Sequence, residues 1–421
     1  EMTSRDWSSD VCSSDLRKLA VVCIMALSAT AILSGCGGSD KSSDGKTKIR
    51  FATWDVAEDV DKQQELVDKF NEEHDDIEVT LEAYGSDFDT KISAGMGSGD
   101  TPDVMYMWNY PSYYDGLEPL DEYISKEGDE YKSNFYDTLW DYNTMDGSIY
   151  GIPVGFTTHC LFYNKDIFDE AGIDYPTADW TWDDLQKAAK TISEKTDAKG
   201  FSFQMKPDPY DFEMYLWSNG SAYCSEDGKM DGNLNSDNSK EVFEMFQKME
   251  KDEYATATEK DGTDEFRAGN TGMYVYGSWA IDTLNEDGVN YGVTTIPAFA
   301  DAGQDSVSIL SSSGLSMSKD SKHKDAAWEF IKYWTNEECN KARIGTELPV
   351  LNSVVESEGI MDQEEYAPFY TMLEQSKGHT PASFLMDSWS EVSENLSLTF
   401  EQIFNPSSLQ DAGKALDGAV K

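Results

Sequence analysis

The chain has 421 residues and a formal net charge of −47, which comes from 80 acidic and 33 basic side chains. Such acidity argues against nucleic acid or any other polyanion as a ligand, because long-range repulsion opposes the encounter, whereas a neutral ligand is not penalised. Hydrophobic residues make up 39% of the chain and aromatic residues 12%, which is typical of a globular protein and excludes an acidic disordered segment. The length is sufficient for two domains with sizeable cores.

The N-terminal segment is predicted to lie outside the folded protein. Residues 1–16 include Asp10–Leu16, which resembles a translated sequencing adapter, and we interpret residues 1–16 as an artefact. Residues 17–35 have a basic pair, an apolar core and small residues before a cleavage position, which is typical of a secretory signal peptide. The apolar run is about fifteen residues long, too short for the helix of roughly twenty residues that spans a bilayer.

This segment ends in Leu33-Ser34-Gly35-Cys36, which resembles the lipobox of bacterial lipoproteins. The resemblance implies cleavage before Cys36 and attachment of lipid to its thiol. The next run, residues 36–46, is rich in Gly, Ser and Asp and is expected to be a flexible tether. The protein is therefore expected outside the cytoplasm, anchored by lipid to the outer face of the bacterial cell membrane. The alternative is a secreted protein with a chance cysteine at this position.

The first folded elements are predicted to form a βαβ unit, and hence a parallel sheet. Lys48–Trp54 is typical of a strand, and the alternation of apolar and polar residues predicts a second strand at Ile77–Leu81. An acidic helix between them has Val60, Val67 and Phe70 on one face. We interpret that face as part of the core.

Further strands and helices follow along the chain. Lys91–Met96 is predicted to end a helix, Gly97–Pro102 to form a turn, and Asp103–Met107 to form a short buried strand. Thr181 and Asp184 are predicted to form a capping box at the start of a helix. The remaining predicted elements are the strands Cys160–Tyr163, Gly272–Tyr276, Tyr291–Ile296 and Ser308–Met317, and helices that contain Val242–Met249 and Ala327–Trp334.

The cysteine and histidine patterns give no sign of a metal or cofactor site. Three cysteines follow the lipobox, namely Cys160, Cys224 and Cys339, and they are widely spaced. Their odd number allows one disulfide, but free buried thiols are favoured. The histidines lack zinc-ligand spacing, and Ser225–Gly232 lacks the ligands of an EF-hand and is predicted to be a solvated hairpin. Because no phosphate-loop, dinucleotide, serine-hydrolase or zinc-protease motif occurs, we expect no cofactor, no metal and no catalytic residues.

Four segments occur in the order in which one protein family has them. Each is weak alone, but four in order are a strong pattern. They are Gly99-Asp100-Thr101-Pro102-Asp103-Val104, Tyr150–Leu185 with Leu161-Phe162-Tyr163-Asn164-Lys165-Asp166 inside it, Phe266–Trp279, and Ala326–Val350. On these segments the chain resembles the extracellular solute-binding proteins of carbohydrate ABC importers, the family that includes the maltodextrin-binding proteins.

The resemblance implies an α/β fold of two lobes, the periplasmic-binding-protein-like fold of type II, with parallel-rich sheets flanked by helices and a ligand cleft between the lobes. One lobe is expected from residues 47–153 with 298–335, and the other from residues 154–297 with 336–421. The resemblance also implies a receptor, not an enzyme, that captures a sugar or oligosaccharide and delivers it to the permease subunits of an ABC importer. The receptor is expected to act as a monomer and to bind no nucleic acid.

A sugar ring has an apolar face and a rim of hydroxyls, so its site needs flat aromatic rings together with carboxylates, amides or arginine. Trp54-Asp55 and Trp108-Asn109 each follow a predicted strand directly, which is where parallel α/β sheets bind ligands. In the family, the tryptophan at the position of Trp279 commonly stacks on sugar. The residues expected to bind ligand are Trp279, Trp54, Asp55, Trp108, Asn109, Trp217, Ser278, Asp87, Arg343 and Glu347.

Alternatives remain for both the residues and the function. The tryptophans are also compatible with core packing, and Asp55, Asn109 and Asp87 with helix caps or solvated loops. The same fold with a polyamine or peptide ligand is a second function, and the net acidity is compatible with a cation. A glycoside hydrolase or lyase is a third, because aromatic and carboxylate side chains line those clefts too. With 80 acidic residues, a carboxylate pair at a suitable distance proves nothing.

Overall fold

A computed structural model describes residues 45–386 and 388–420 of the chain. The interpretations of residues 1–16, of the signal peptide and of the lipobox at Cys36 concern residues outside this described part. The strands are β1 (Thr47–Thr53), β2 (Ile77–Ala83), β3 (Val104–Met107), β4 (Thr144–Met145), β5 (Ser148–Ile149), β6 (Ile152–Asn164), β7 (Phe201–Gln204), β8 (Ala255–Thr258), β9 (Met273–Gly277), β10 (Tyr291–Thr294) and β11 (Leu310–Met317).

Helices occupy most of the chain between and after the strands. They are α1 (Ala57–Glu73), α2 (Phe88–Ser98), α3 (Tyr110–Tyr113), α4 (Asp121–Glu127), α5 (Asp129–Ser133), α6 (Asp137–Tyr142), α7 (Lys165–Ala171), α8 (Trp182–Lys195), α9 (Met214–Ser218), α10 (Asp237–Lys251), α11 (Thr263–Arg267), α12 (Ala280–Glu286), α13 (Lys324–Trp334), α14 (Glu337–Ala342), α15 (Asn352–Ser357), α16 (Ala367–Gln375), α17 (Ala382–Leu385), α18 (Trp389–Phe404) and α19 (Ala412–Ala419). Short 3-10 turns occur at Gly85–Asp87, Tyr114–Gly116 and Ile360–Asp362, and a π-helical turn at Pro209–Glu213.

The strands form one mixed sheet in the order β2-β1-β3-β11-β6-β9-β7-β8, with β10 also paired to β6. β1 pairs in parallel with β2 and β3, and β7 pairs in parallel with β8 and β9. The pairings of β6 and β11 are antiparallel, and β4 and β5 form a separate ribbon. The predicted βαβ start and the α/β class are therefore confirmed, with antiparallel strands between two parallel regions.

The long strand β6 joins the two parallel regions. All 13 of its residues are buried, and its near-continuous apolar run is what a strand covered on both faces requires. Its residues up to Thr158 pair with β11, whereas those from His159 onward pair with β9. The register with β11 shifts between Ser313 and Gly314. β6 therefore runs from the parallel region around β1 to the parallel region around β7 within the one sheet.

Aromatic side chains cover both regions. Beside β1, Phe51 packs against Trp334 and Phe330 of α13, with ring centroids 4.8 and 5.1 Å apart. Beside β7, Phe203 packs against Phe246 of α10 at 4.8 Å. Both helices were predicted from apolar residues that recur with helical spacing. Burial of these rings on the sheet stabilises the fold and fixes the strand ends that carry the site.

Local signals were reliable, with small errors at element ends. The capping box is confirmed, because the Thr181 hydroxyl accepts from the backbone of Asp184 and the Asp184 carboxylate accepts from the backbone of Thr181. The predicted turn at Gly97–Pro102 is wrong at its start: α2 continues through Ser98. The helix ends at Gly99, whose φ of 74° is a conformation that glycine adopts at little cost.

The cysteines and the predicted hairpin can also be compared with the structure. Cys160, Cys224 and Cys339 are free and buried, as favoured from the sequence. Ser225–Gly232 is a largely exposed turn, closed by a backbone hydrogen bond from Ser225 to the carbonyl of Lys229, rather than a regular β-hairpin. Within the described residues, none of the helices has the length and apolar character needed to cross a membrane.

Candidate functional site

A cavity of about 430 Å³ opens at the ends of β1 and β3, beside β6 and β11, and we call it the near cavity. It brings together six residues that were predicted to bind ligand, namely Trp54, Asp55, Trp108, Ser278, Trp279 and Glu347. Its other lining residues are Asp59, Gly155, Phe156, Thr157, Ser311, Ser313 and Thr346.

A second cavity of about 360 Å³, the far cavity, shares Trp108, Trp279 and Ser311 with the near cavity. Because three residues line both, we treat the two cavities as halves of one cleft. Each half falls within the range of about 300–1,000 Å³ that is typical of small-molecule sites. The other residues that line the far cavity are His159, Gln204, Lys206, Asp208, Tyr210, Asp211, Asp261 and Tyr276.

Trp279 lies where the two cavities meet and is 48% exposed. A Cβ atom on Gly277 would lie 2.6 Å from the indole, so the ring rests directly on the backbone of this glycine. Tyr276 and His159 contact the ring edge-on, with centroids 5.1 and 5.6 Å away. The indole is therefore fixed in orientation, while about half of its surface stays open to the cleft.

Ser278 connects the same corner to β6. Its backbone N–H donates to Thr157 Oγ1 at 2.9 Å, and its hydroxyl donates to the same oxygen at 3.0 Å. The Thr157 hydroxyl in turn donates to the carbonyl of Thr158 at 2.9 Å. Since Thr157 is buried, these bonds fix the start of α12, and with it Trp279, relative to β6.

Two further tryptophans lie at strand ends, as the sequence predicted. Trp54 follows β1 and packs against Phe88 and Tyr106, with ring centroids 5.3 and 5.0 Å away. Trp108 follows β3, and its ring meets Tyr210 edge-on at 6.5 Å. Both tryptophans are partly exposed, so each has an apolar surface that is open to a ligand.

The carboxylate of Asp55 is held at the same end of β1. One of its oxygens accepts hydrogen bonds from the hydroxyl of Thr53, at 3.2 Å, and from the side-chain amide of Gln63. Burial, and the nearby carboxylate of Glu347, raise the pKa of Asp55 to about 6. A hydrogen-bond donor on a ligand would therefore stabilise the ionised form of this group.

Glu347 is positioned by a buried arginine. Arg343 is 4% exposed, forms an ion pair with Glu347 at 2.8 Å, and donates to the carbonyls of Trp334 and Val154 at 2.9 and 3.4 Å. The glutamate side chain also packs directly on Gly155, where a Cβ atom would lie 2.9 Å from its carboxyl carbon. Glu347 therefore lines the cavity, whereas Arg343 holds it in place from behind.

The structure places the other predicted residues outside the lining of both cavities. Asn109 is the N-cap residue of α3, but its side chain forms no capping hydrogen bond. Asp87 is exposed at the start of α2. Trp217 is 5% exposed in α9, with its ring 5.3 Å from that of His379, a placement that favours the core-packing alternative for this residue.

Sequence reasoning missed the part of the site that distant segments form. The run from Gly155 to Thr157 reads as an ordinary buried strand, and only the pairing of β6 shows which of its atoms face the cleft. The run Pro207-Asp208-Pro209-Tyr210-Asp211 carried a usable signal, because two prolines and two acids predict an irregular, polar segment. The missed lining residues that carry charge are Asp59, Lys206, Asp208, Asp211 and Asp261.

The far cavity is acidic. Burial raises the pKa of Asp208, and burial together with the Asp208 carboxylate raises the pKa of Asp211 to about 7. Burial opposes ionisation of Asp261 as well, but hydrogen bonds, among them one from Tyr276, lower the pKa of Asp261. Lys206 also lines this cavity. Negative charge is therefore concentrated next to the exposed aromatic rings.

The residues of the cleft are suited to binding. In the described part of the chain, no group of three or more His, Cys, Asp or Glu side chains is arranged to hold a metal ion. Fixed aromatic surfaces surrounded by hydroxyls and carboxylates are suited to a ligand that has both apolar and polar faces. A mixed α/β protein in which one long strand joins two parallel regions of a sheet, with such a cleft beside the strand, is of the class of ligand-binding proteins with two α/β lobes.

Comparison with known families agrees with this class. The family described as bacterial extracellular solute-binding protein matches residues 56–341, which is more than half of the chain. The protein therefore belongs to this family, and the resemblance predicted from the four sequence segments is confirmed.

Individual relatives extend the similarity over most of the chain. A putative binding protein of Brucella abortus (strain 2308) is 26% identical over 350 residues, which cover 79% of this chain and 82% of the relative. The galactooligosaccharide-binding protein of Bacillus subtilis (strain 168) is 25% identical over 372 residues, which cover 82% and 85%. An ABC substrate-binding protein from Listeria monocytogenes, solved in complex with cycloalternan, matches with a TM-score of 0.75 at 25% identity and covers 89% of this chain and 97% of its own. The predicted type II fold is thereby confirmed.

Proposed function

We propose that this solute-binding protein captures a sugar or an oligosaccharide outside the cytoplasm and delivers it to an ABC importer. The observation that carries the proposal is Trp279, half exposed and fixed over Gly277 where the two cavities meet. Such a flat apolar surface, with hydroxyls and carboxylates around it, is complementary to the apolar face and hydroxyl rim of a sugar ring. The names of the galactooligosaccharide-binding relative and the cycloalternan-bound neighbour support the same ligand class.

The extent of the aromatic surface favours an oligosaccharide. Trp54, Trp108 and Trp279 all line the near cavity, and the last two also line the far cavity. One sugar ring uses one or two stacking faces, so three tryptophans distributed along the cleft are suited to more than one ring. The carboxylates of Asp55 and Glu347 would then accept hydrogen bonds from the hydroxyls of the ring in the near cavity.

The protein is proposed to bind its ligand without changing it. The relatives are named as binding proteins, and the cleft offers the fixed aromatic and polar contacts that binding alone requires. The ligand would leave the cleft chemically intact when the receptor docks on the permease subunits of the importer. The receptor is proposed to act as a monomer in this cycle.

The lobes and the lipid anchor are part of the same proposal. One lobe would contain residues 47–153 and 298–335, and the other residues 154–297 and 336–421. The pairing of β6 supports a crossing between lobes within this strand, although its partner changes from β11 to β9 between Thr158 and His159, after the boundary proposed at residue 153. Hinge closure of the lobes around the ligand would follow. Lipid on Cys36 would keep the receptor near its permease, as the lipobox resemblance implies.

The direct test is a thermal-shift panel on the mature chain, residues 36–421. The panel contains glucose, galactose, maltotriose, galactobiose, arabinotriose and raffinose, with spermidine and triglycine as non-sugar controls. A ligand at a hundredfold its Kd stabilises the native state by about 2.7 kcal/mol. For a chain of this size the increase in Tm is expected to be several degrees at most.

The outcomes separate the alternatives. A reproducible increase in Tm with a sugar, together with unchanged sugar on chromatography after long incubation, is the expected result. An increase with spermidine or triglycine alone would contradict the choice of a sugar but leave a receptor for another solute. Release of smaller sugars from an oligosaccharide by the purified protein would contradict the receptor and favour a glycoside hydrolase.

A further inference from the structure

The far cavity holds more negative charge than a neutral sugar requires. Asp208, Asp211 and Asp261 line it, and Lys206 is the cationic side chain among its lining residues. Within residues 45–386 and 388–420, none of these three carboxylates forms an ion pair with a lysine or an arginine. Three carboxylates therefore share the cavity with one lysine, so negative charge is in excess there.

Neutral groups supply the hydrogen bonds to two of these carboxylates. Asp208 accepts a hydrogen bond from the backbone N–H of Tyr210 at 3.0 Å. Asp261 accepts one from the hydroxyl of Tyr276, also at 3.0 Å. Both donors belong to residues whose rings line the same cavity, so the carboxylates are held at defined positions beside aromatic surfaces. Neutral donors orient a carboxylate but leave its charge uncompensated.

Asp211 has a neutral side-chain amide, rather than a positively charged group, as its hydrogen-bond donor. The amide of Gln204, oriented to satisfy its neighbours, donates to both oxygens of Asp211 at 2.9 and 3.0 Å, and its own oxygen accepts from Lys206 at 2.9 Å. The lysine charge is therefore separated from the carboxylate by an amide. Burial and the nearby Asp208 raise the pKa of Asp211 to about 7, as expected for a carboxylate without a direct positive partner.

A separate observation on the same wall points to a ligand. His159 lines the far cavity and is 2% exposed, and its Nδ1 has no hydrogen-bond partner among the described residues. Burial lowers the pKa of His159 to about 3, so the ring is neutral at physiological pH and supplies no positive charge. Buried polar atoms are normally paired, because an unpaired one is costly. The unpartnered nitrogen therefore marks a place that a hydrogen-bonding ligand would complete.

The aromatic rings of the far cavity also suit a cation. Trp108, Tyr210, Tyr276 and Trp279 line it, and the faces of such rings attract an ammonium group within about 6 Å of the ring centre. Trp279 lines this cavity together with the three carboxylates, so a sugar stacked on its ring would lie beside them. Carboxylates, ring faces and a neutral histidine together form a site for a group that donates several hydrogen bonds and carries positive charge.

We infer that the far cavity binds a primary ammonium group of the ligand, with Asp208, Asp211 and Asp261 as its counter-charges. The inference rests on the proposed function, and it narrows the ligand to an amine-bearing sugar such as a glucosamine or galactosamine oligosaccharide. An N-acetylated sugar has no charge at this position, so the three carboxylates can accept hydrogen bonds from it but gain no charge pairing. A polyamine carries the same ammonium group, so the experiment has to distinguish these two sources.

The experiment measures binding in matched pairs that differ by amine and hydroxyl. Isothermal titration calorimetry at pH 7 on the mature chain compares glucosamine with glucose, galactosamine with galactose, and triglucosamine with cellotriose. Triacetylchitotriose and spermidine complete the set. The amine member of at least one pair is expected to bind at least about tenfold more tightly than its hydroxyl partner, and this preference should fall when salt is raised from about 20 to about 200 mM.

Two isosteric variants locate the ammonium group. Asp211→Asn keeps a side chain of the same shape but removes the charge, and is expected to reduce the preference for the amine sugar, while Asp208 and Asp261 retain part of it. Asp174→Asn removes the same charge from an exposed residue that lines neither cavity, and should leave the preference unchanged. Thermal melts establish that both variants are folded.

Each outcome decides between the inference and the function on which it rests. Equal binding of amine and hydroxyl sugars in every pair overturns the ammonium site but leaves the sugar receptor standing. Tight binding of spermidine with no response to any sugar upholds the ammonium site and overturns the sugar receptor. An amine preference that is undiminished in Asp211→Asn places the ammonium elsewhere and overturns the assignment to the far cavity. Binding of triacetylchitotriose as tight as that of triglucosamine shows that charge is not recognised, and has the same consequence.

Discussion

Replacement of Trp279 by alanine should weaken sugar binding strongly and leave the protein folded. The indole rests on Gly277 and meets Tyr276 and His159 edge-on, and about half of its surface is already in contact with solvent. Its removal therefore leaves these neighbours in place around an open cleft. We expect a loss of about 1–2 kcal/mol in the free energy of unfolding, less than the 3–5 kcal/mol that is typical for truncation of a fully buried tryptophan.

The effect on binding follows from the area that a sugar ring would cover. A tryptophan side chain presents about 200 Å² of surface, and roughly half of it is open here, so a stacked ring covers about 50–100 Å². At about 25 cal/mol per Å², the lost contact is worth about 1.3–2.5 kcal/mol. Because about 1.4 kcal/mol corresponds to a tenfold change in affinity, the Kd should rise roughly 10- to 70-fold.

The assay is calorimetric titration of the wild-type protein and Trp279→Ala with the sugar that gives the largest shift in the thermal panel. Trp279→Phe keeps a smaller ring and should give an intermediate Kd. Leu398→Ala truncates another exposed apolar side chain, 59% exposed on α18 and away from both cavities, and should leave the Kd unchanged. If Trp279→Ala is folded and its Kd stays within about twofold of wild type, the stacking role is refuted.

Three other measurements test separate parts of the reasoning. Gly277→Ala should displace the Trp279 indole, because the new Cβ would lie 2.6 Å from it, and calorimetry should show a sugar Kd about tenfold higher. The control Gly97→Ala has open space around its new Cβ and should leave the Kd unchanged. Burial raises the pKa of Glu213 to about 8 from an ordinary value of 4.5, so the native state retains a proton that the unfolded state loses, and stability falls as the pH rises from about 5 to 8. Relative to wild type, the Tm of Glu213→Gln should therefore increase across this range in scanning calorimetry, whereas a constant difference would argue against titration of this residue. Cys36→Ser should move the protein from the membrane fraction to the medium, and a variant still found in the membrane would contradict the lipobox.

The sequence could predict those parts of the fold that are encoded locally. The strand before Trp54, the buried strand before Trp108 and the capping box at Thr181 all depend on residues within a few positions of one another. The ends of two parallel strands meet at one edge of a sheet, so Trp54 and Trp108 could be placed in one site before the structure was known. The prediction for Trp279 came from family resemblance, and the structure adds the physical reason for its exposure, the close contact with Gly277.

Other parts of the site depend on pairings that no local pattern contains. The cleft-facing atoms of β6 depend on its register with β11, which shifts between Ser313 and Gly314. Arg343 and Glu347 are four residues apart, but their different roles arise because the arginine also binds the carbonyl of Val154, far away in the sequence. From the sequence, Arg343 was expected to contact the ligand. Because it is buried against β6, it instead holds Glu347 in position.

The residues that line the cleft come from both proposed lobes, so the ligand's contacts decide whether the lobes close and a permease can recognise the closed receptor. Trp54 and Asp55 belong to the first proposed lobe, whereas Trp279 and Glu347 belong to the second. A ligand favours closure only through contacts that it makes better in the closed arrangement than in the open one. A shift from about 1:99 to 99:1 requires about 5.5 kcal/mol of such differential contact, which corresponds to about two to four stacking interactions of the size worked out for Trp279. A sugar that stacks on Trp279 alone would therefore bind but leave the lobes largely open, whereas a longer sugar that also contacts Trp54 and other residues of the first lobe would favour closure. Transport should therefore be more selective than binding.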